Sequence, residues 1–515
     1  MALDTTASGV GTSAPVAAST NPHHAKRWWI LTILAIAQLM VVLDSTVVSI
    51  ALPHAQTDLG FSSADRQWIV TAYALSFGSL LLVGGRIADI FGRKWTLIIG
   101  LVGFAVASAI GGASVDFAML VIARAVQGAF GALLAPAALS LLTTTFTEAK
   151  ERAKAFGIYG GIAGAGASVG LLLGGILTEY LDWRWTMYVN LIFAVIALFG
   201  SLTLLHHSTD ADRPKLDVVG TIVVCASMFG IVYGFSNVAN VAESHPNDAT
   251  AGWHSGTTLG FLIAGVVLLV AFVLWERRVA NPLLPLRIVT DRNRGGAYMA
   301  MFLASVGMFG VFLFLTYYLE ETIGFSPVKA GLAYLPMTGL IVVVAGVGST
   351  VLAPRVSPRL LIPSGMLIAA LGLVLLTRIG VQSDYAGTVL PAILVMAVGL
   401  GLVFAPAFSM GTLGVRPEDS GVASATVNVM QQIGGAIGTA VLNTLALMVA
   451  SNYLGSHHAT TKAQLAQVAV SGSVHSYIVA FWWSAAIFAV GGVLAALILR
   501  SGVPDYDENE GVVAL

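Results

Sequence analysis

The sequence predicts an all-α polytopic membrane protein of about 14 transmembrane helices, built as two pseudo-symmetric six-helix bundles with two linker helices between them. Three observations carry this. The chain is 57% hydrophobic with only 10% charged residues and a mean hydropathy of +0.85, whereas soluble domains carry about 25% charged residues. Apolar runs of bilayer-spanning length recur from end to end. The second half of the sequence repeats the first.

The apolar runs fall near 28–52, 67–85, 95–114, 117–142, 155–178 and 186–206 in the first half. Two more lie near 216–238 and 257–275, and six follow near 296–319, 330–352, 360–380, 386–412, 420–450 and 477–500. The first is too long for the core of a signal peptide, and Trp28 and Trp29 read as interfacial anchors. Residues 1–25, rich in Ala, Ser and Thr, read as a disordered cytoplasmic tail, and 501–515 as an acidic one. With the N-terminus inside, 19 of the 25 Lys and Arg residues fall in cytoplasmic loops and 5 outside. That asymmetry predicts a multi-pass protein of the cytoplasmic membrane with both termini cytoplasmic.

The repeat shows as ordered matches at nearly constant offset. "GALLAPAALS" from Gly131 meets "GLVFAPAFSM" from Gly401, and "LGFSS" at 59–63 meets "IGFSP" at 323–327. It divides the chain into bundles at 26–207 and 288–500, with the extra helices within 208–287. Two parallel halves around a midplane cavity is an arrangement used for alternating access. An old duplication in a receptor or scaffold is the competing reading.

Composition and motifs exclude several functions. A net charge of −1 makes no case for nucleic-acid binding. The single Cys225 allows no intrachain disulfide. The pairs His23–His24, His206–His207 and His457–His458 lack further ligands at metal spacing, so no metal site is expected. No nucleophile–base constellation appears, and no phosphate-binding G-x-x-x-x-G-K-[ST] loop, so the chain reads as no enzyme. It would work without a cofactor, on an ion or solute gradient, and as a monomer.

Asp44 stands out, because a carboxylate near the centre of a spanning helix costs about 2.5–3.5 kcal/mol even on the lenient insertion scale. It lies eight residues from Leu52 at the outer end of its run, and Arg124 seven from Phe117, or about 12 and 10 Å of helix rise. Acid and base therefore share a depth, and the expectation is that they face one cavity. Burial tightens a carboxyl group's hold on a proton and a nearby guanidinium loosens it, so separating the two would make a proton carrier. The plainer alternative is a fixed ion pair joining two helices.

Other stretches suggest moving parts. "GGRIADIFGRK" (84–94) groups Gly85, Arg86, Asp89, Gly92, Arg93 and Lys94 at the cytoplasmic surface. Its glycines would permit a tight turn, and its charges would latch two bundles in one conformation and release them in another. In "VIARAVQGAFG", Arg124, Gln127, Gly128 and Gly131 share one helix face. Gly161, Gly166, Gly170, Gly174 and Gly175 would let the fifth span approach its neighbours closely. Gln38, Gln127, Phe309, Glu320, Asn428, Gln431 and Gln432 are candidates to line a substrate cavity, though polar ties between helices and packed aromatics explain them as well.

These stretches together resemble a known family. "GGRIADIFGRK", "RAVQG" and "GASVGLLLGG" are similar to the cytoplasmic-loop, fourth-helix and fifth-helix antiporter motifs of the major facilitator superfamily. "LDSTVVSIALP", "WRWTMYVN" and "YYLEETIGFSPVKAGLAYLP" resemble signatures of its 14-helix drug:proton antiporter group. Two departures are visible: Leu171 stands where the antiporter motif usually has proline, and the usual "NVP" after Trp-Arg-Trp is altered, with Asn190 kept. The resemblance implies proton-coupled efflux of small hydrophobic drugs or antibiotics. Export of one metabolite, and solute:proton symport, stay open.

Overall fold

A computed structural model describes residues 26–61, 66–205, 216–245, 248, 250–457 and 461–502. The expected tails lie outside these residues, save 501 and 502. The first half consists of α1 (Arg27–Leu59), α2 (Arg66–Phe91), α3 (Arg93–Gly112), α4 (Phe117–Thr145), α5 (Ala149–Tyr180) and α6 (Trp185–Leu204). Then come α7 (Val218–Ser244), the one-turn α8 (Ala251–His254) and α9 (Gly256–Glu276). After the short α10 (Leu286–Thr290) follow α11 (Arg292–Tyr317), α12 (Pro327–Val347) and α13 (Pro358–Leu376). The chain ends with α14 (Leu390–Thr412), α15 (Ser420–Ser456) and α16 (Lys462–Ile498).

Thirteen of these helices are long and apolar enough to cross a membrane among the described residues, and α5 carries a shorter apolar stretch at Val169–Tyr180. Side chains such as Phe199, Ile222 and Val267, 60% or more exposed, suit contact with lipid rather than water. Local chemistry sets the helix ends. Asp116 accepts from the Met119 amide at the start of α4, and Asp291 from those of Asn293 and Arg294 at the start of α11. Gly60 (φ 68°) ends α1, and Gly92 (φ 92°) turns the chain between α2 and α3.

Several helices overrun the apolar cores expected from sequence. α1 continues past residue 52 and α2 past 85, while α16 starts well before 477, behind a Thr461–Gln464 capping box. Backbone hydrogen bonding is indifferent to side-chain polarity, so a helix runs on until something caps it. The stretch 84–91 is therefore the last part of α2 and not a loop. Of the two glycines expected to turn the chain, Gly85 lies within α2 and only Gly92 makes the turn.

In the first half α4 packs between α2 and α3, and α1 between α5 and α6; in the second α13 packs on α14 and α16, and α11 on α15 and α16. The halves meet along two seams, α2 against α15 and α5 against α12. Each joins the second helix of one half to the fifth of the other. Of the extra pair, α7 packs on α9 and lies over the α2–α15 seam, touching both of its helices. We call the end bearing most of the Lys and Arg residues the basic face.

At the opposite face Asp58 of α1 accepts from the Trp183 indole (3.0 Å) and from Arg184 (2.8 Å), whose guanidinium also reaches the carbonyls of Gly112 and Ser114. The indole, with the guanidinium beside it, holds the Asp58 carboxyl below the usual range. A depressed carboxylate adds stability above the ordinary Asp pKa of about 3.9 and loses it as pH falls through the lowered value. Asp58→Asn should therefore lower the thermal unfolding temperature at pH 7, with the difference from wild type closing below about pH 4. The drop should be small, since exposed pairs contribute under about 1 kcal/mol.

Candidate functional site

Five helices converge on Asp44. Its Oδ2 accepts from Arg124 Nη1 at 2.6 Å, and its Oδ1 from Gln127 Nε2 at 2.7 Å and Asn190 Nδ2 at 2.8 Å. Gln127 also donates to Ser108 Oγ (2.7 Å) and accepts from Arg124 (2.6 Å). Arg124 reaches the Ile69 carbonyl at 3.5 Å and lies 4.4 Å from the centre of the Tyr73 ring. Asp44 and Arg124 are each 1% exposed, and Gln127, Asn190 and Ser108 are fully buried. Asp44 and Arg124 do meet, but they are sealed between α1, α2, α3, α4 and α6 and do not face a shared cavity. The i, i+3 spacing of Arg124 and Gln127 puts both on the α4 face that meets Asp44.

The network is not saturated. Asn190 Oδ1 and Tyr73 Oη are buried with no hydrogen-bond partner, a condition that costs about 1–3 kcal/mol per group. An acceptor and a donor thus stand in reserve around the carboxylate.

A second constellation closes the α2–α15 seam at the basic face. Asp89 Oδ1 accepts from the Gly421 amide (2.9 Å) and Oδ2 from the Val422 amide (3.3 Å), capping the first turn of α15 from the other half. Arg86, 3% exposed, lies 4.0 Å from Asp419, which is also hydrogen-bonded by Arg287. Burial pushes the Asp419 carboxyl up despite these cations. Ser140 and Ser420 share a hydrogen bond of 2.6 Å, and Arg152 donates to the Thr412 carbonyl at 3.4 Å. Gly85 lets the backbones touch: a Cβ there would sit 2.5 Å from the Gly421 carbonyl oxygen.

Not every member of the sequence cluster joins this latch. Lys94 binds the last carbonyls of the first half, donating to Leu202 and Leu205 at the end of α6. Arg93 opens α3 near Asp89, on whose carboxylate its charge acts.

The α5 glycines divide between two partners. Gly161 approaches Val342 of α12 across the second seam, while Gly166, Gly170 and Gly174 face Val42, Thr46 and Val47 of α1. Gly175 is buried. Gln38 is tied to Tyr159 Oη at 2.8 Å, and Asn428 bonds the Ser424 carbonyl of its own helix. Gln431, Gln432 and Glu320 are half-buried, Glu320 in a π turn that ends α11. The Phe309 side chain lies outside the described residues. Sequence reasoning did not place Ser108, Tyr73, Asp419 or Arg287 in either constellation. Asn190 was visible only as the residue kept from an altered motif. Among the described residues no group of three or more His, Cys, Asp and Glu side chains is placed to hold a metal.

Comparison with known proteins identifies the family and the fold. The family model described as Major Facilitator Superfamily matches residues 34–439. A puromycin resistance protein of Streptomyces alboniger is 45% identical, over 94% of this chain and 93% of its own length. A cephamycin export protein of Amycolatopsis lactamdurans is 36% identical over 81% and 84%, and a multidrug efflux pump of Mycolicibacterium smegmatis 30% over 83% and 82%. The crystal structure of the human organic anion transporter MFSD10 shares the fold, with a TM-score of 0.58 at 15% identity over 91% of this chain and 99% of its own. The chain is a transporter and not an enzyme, and it belongs to the Major Facilitator Superfamily, among relatives that export antibiotics and drugs.

Proposed function

We propose that this protein exports small hydrophobic drugs or antibiotics from the cytoplasm by alternating access, exchanging each for protons through Asp44. The basic face is then the cytoplasmic one, the membrane is the cytoplasmic membrane, and a single chain suffices. The observation that carries the reading is the sealed Asp44 network with its reserve groups. As drawn, it suits an ionised carboxylate, which accepts from Arg124, Gln127 and Asn190. Rotation of the Asn190 amide would turn its free Oδ1 toward a protonated Asp44. Both protonation states thus find hydrogen-bond partners, while protonation strips the buried Arg124 of its counter-charge, a cost that favours parting of the helices as the proton enters. The latch supplies the bistable element, since its contacts must break whenever α2 and α15 separate.

Efflux into everted vesicles tests the reading, with puromycin as the first compound because a 45% identical relative is named for resistance to it. Accumulation should follow an imposed pH gradient and collapse with a protonophore. Accumulation indifferent to the gradient would overturn proton exchange. A second reading, export of one dedicated compound, is favoured by relatives named for single antibiotics, and a panel in which only one compound accumulates would select it.

A further inference from the structure

We infer that the groove between α1 and α5 at the basic face binds one anionic phospholipid. The groove is open on one side, has a volume of about 400 Å³, and is lined by Trp28, Leu31, Thr32, Ala35, Ile36 and Leu39 of α1 with Ile158 and Ile162 of α5. Thr32 is exposed and Ile36, Leu39, Ile158 and Ile162 are half-exposed, while Ile30 and Leu34 on the other side of α1 are buried. The buried Leu31 and Ala35 thus form the floor of the groove, and the half-exposed residues its lipid-facing rim. The one hydroxyl in it, on Thr32, is engaged by the Trp28 carbonyl. What remains is apolar contact, which suits an acyl chain and not water. From Trp28 to Leu39 the groove runs for eleven residues, about 16 Å of helix. One leaflet of hydrocarbon is about 15 Å deep, half of the bilayer core.

The mouth supplies the headgroup site. The Lys154 ammonium sits 4.8 Å from the centre of the ring of Trp28, the lining residue nearest the start of α1. Lys150 lies one turn earlier on the same face of α5, and Lys26 precedes α1; all three are exposed. Arg27 is held by Glu151 at 2.5 Å, and Glu148 is exposed nearby. Even so, cations outnumber carboxylates around the mouth, which favours a phosphate diester. The site has a mechanical consequence. The same α5 meets α12 across the seam that no extra helix covers, with Gly157 and Gly161 against Ala345 and Val342. A chain lodged between α1 and α5 braces that moving helix.

The test uses the purified full-length protein in neutral detergent, titrated with phosphatidylglycerol or phosphatidylcholine of identical chains and read by native mass spectrometry. One phosphatidylglycerol should be retained about tenfold more tightly than phosphatidylcholine. Ile36→Trp, which fills the groove, and the double variant Lys150→Gln/Lys154→Gln should each weaken that lipid about tenfold. Ile222→Trp, on a lipid-facing position of α7, should leave it unchanged. The lysine variant alters only exposed side chains, so it keeps the test valid if Ile36→Trp folds poorly. Equal retention of the two lipids, or affinity unchanged in both variants, overturns the inference. So does displacement of the lipid by an efflux substrate at equal concentration, which would make the groove a substrate entry.

Discussion

Asp44→Asn should abolish gradient-driven efflux and also lower the stability of the protein. The carboxylate is the counter-charge of a guanidinium that is 1% exposed, and removing one partner of such a buried pair typically costs about 3–5 kcal/mol. A loss of transport alone therefore would not separate coupling from folding. The double variant Asp44→Asn/Arg124→Gln makes the separation, because it removes both charges and leaves neutral amides beside Gln127 and Asn190. Buried pairs replaced together are often near neutral, so unfolding temperature should recover toward wild type. If Asp44 is the proton carrier, efflux driven by a pH gradient stays absent from the recovered protein. Efflux that returns in the double variant would make the pair a structural tie between α1 and α4 and move the coupling site elsewhere. Counterflow under no gradient adds a second readout: an alternating but uncoupled carrier still exchanges labelled for unlabelled substrate.

How much of this was legible in the sequence follows from how local each feature is. Spanning helices were readable because lipid demands an unbroken apolar length. Helix ends were less readable. Hydropathy falls at Arg86 and Asp89, yet α2 continues to Phe91, because its end is set by the positive φ of Gly92. Asp44 and Arg124 could be matched by depth, since rise per residue is fixed. That depth argument says nothing of azimuth, so it could not tell a cavity from a sealed pair. Ser108 and Tyr73 carry no sequence signal as partners of that pair. Asp419 meets Arg86 across 333 residues of chain, and no local pattern encodes such a contact. Gln127 and Gln38 illustrate the remaining limit: a polar residue in a membrane helix announces a partner without saying whether that partner is substrate or protein. Here the partners are Asp44 and Ser108 for the one, Tyr159 for the other.

Gly85→Ala should reduce transport at least tenfold with little effect on folding, and its neighbour Gly84→Ala should do the reverse. The two differ only in what they touch. A Cβ on Gly85 would sit 2.5 Å from the Gly421 carbonyl oxygen and 2.7 Å from the Ala425 Cβ, both in the other half. A Cβ on Gly84 would sit 2.0 Å from the Ala132 carbonyl oxygen on α4, inside the same half. Backbone cannot yield to such a contact as a flexible side chain can. Gly85→Ala must therefore push α2 from α15 and lengthen the Asp89 bonds to the Gly421 and Val422 amides, which penalises the latched state. Each 1.4 kcal/mol of that penalty shifts the equilibrium between latched and open forms about tenfold. The shift can be read without transport. With Cys225→Ala removing the only native thiol, a cysteine at position 420 reports on the seam, because Ser420 is 2% exposed and hydrogen-bonded to Ser140. Alkylation of Ser420→Cys by a membrane-impermeant maleimide applied from the basic face should rise severalfold in Gly85→Ala and stay at the parent level in Gly84→Ala. Labelling and efflux both unchanged in Gly85→Ala would show that the α2–α15 contact does not hold the two halves, leaving the α5–α12 seam as the element that alternates.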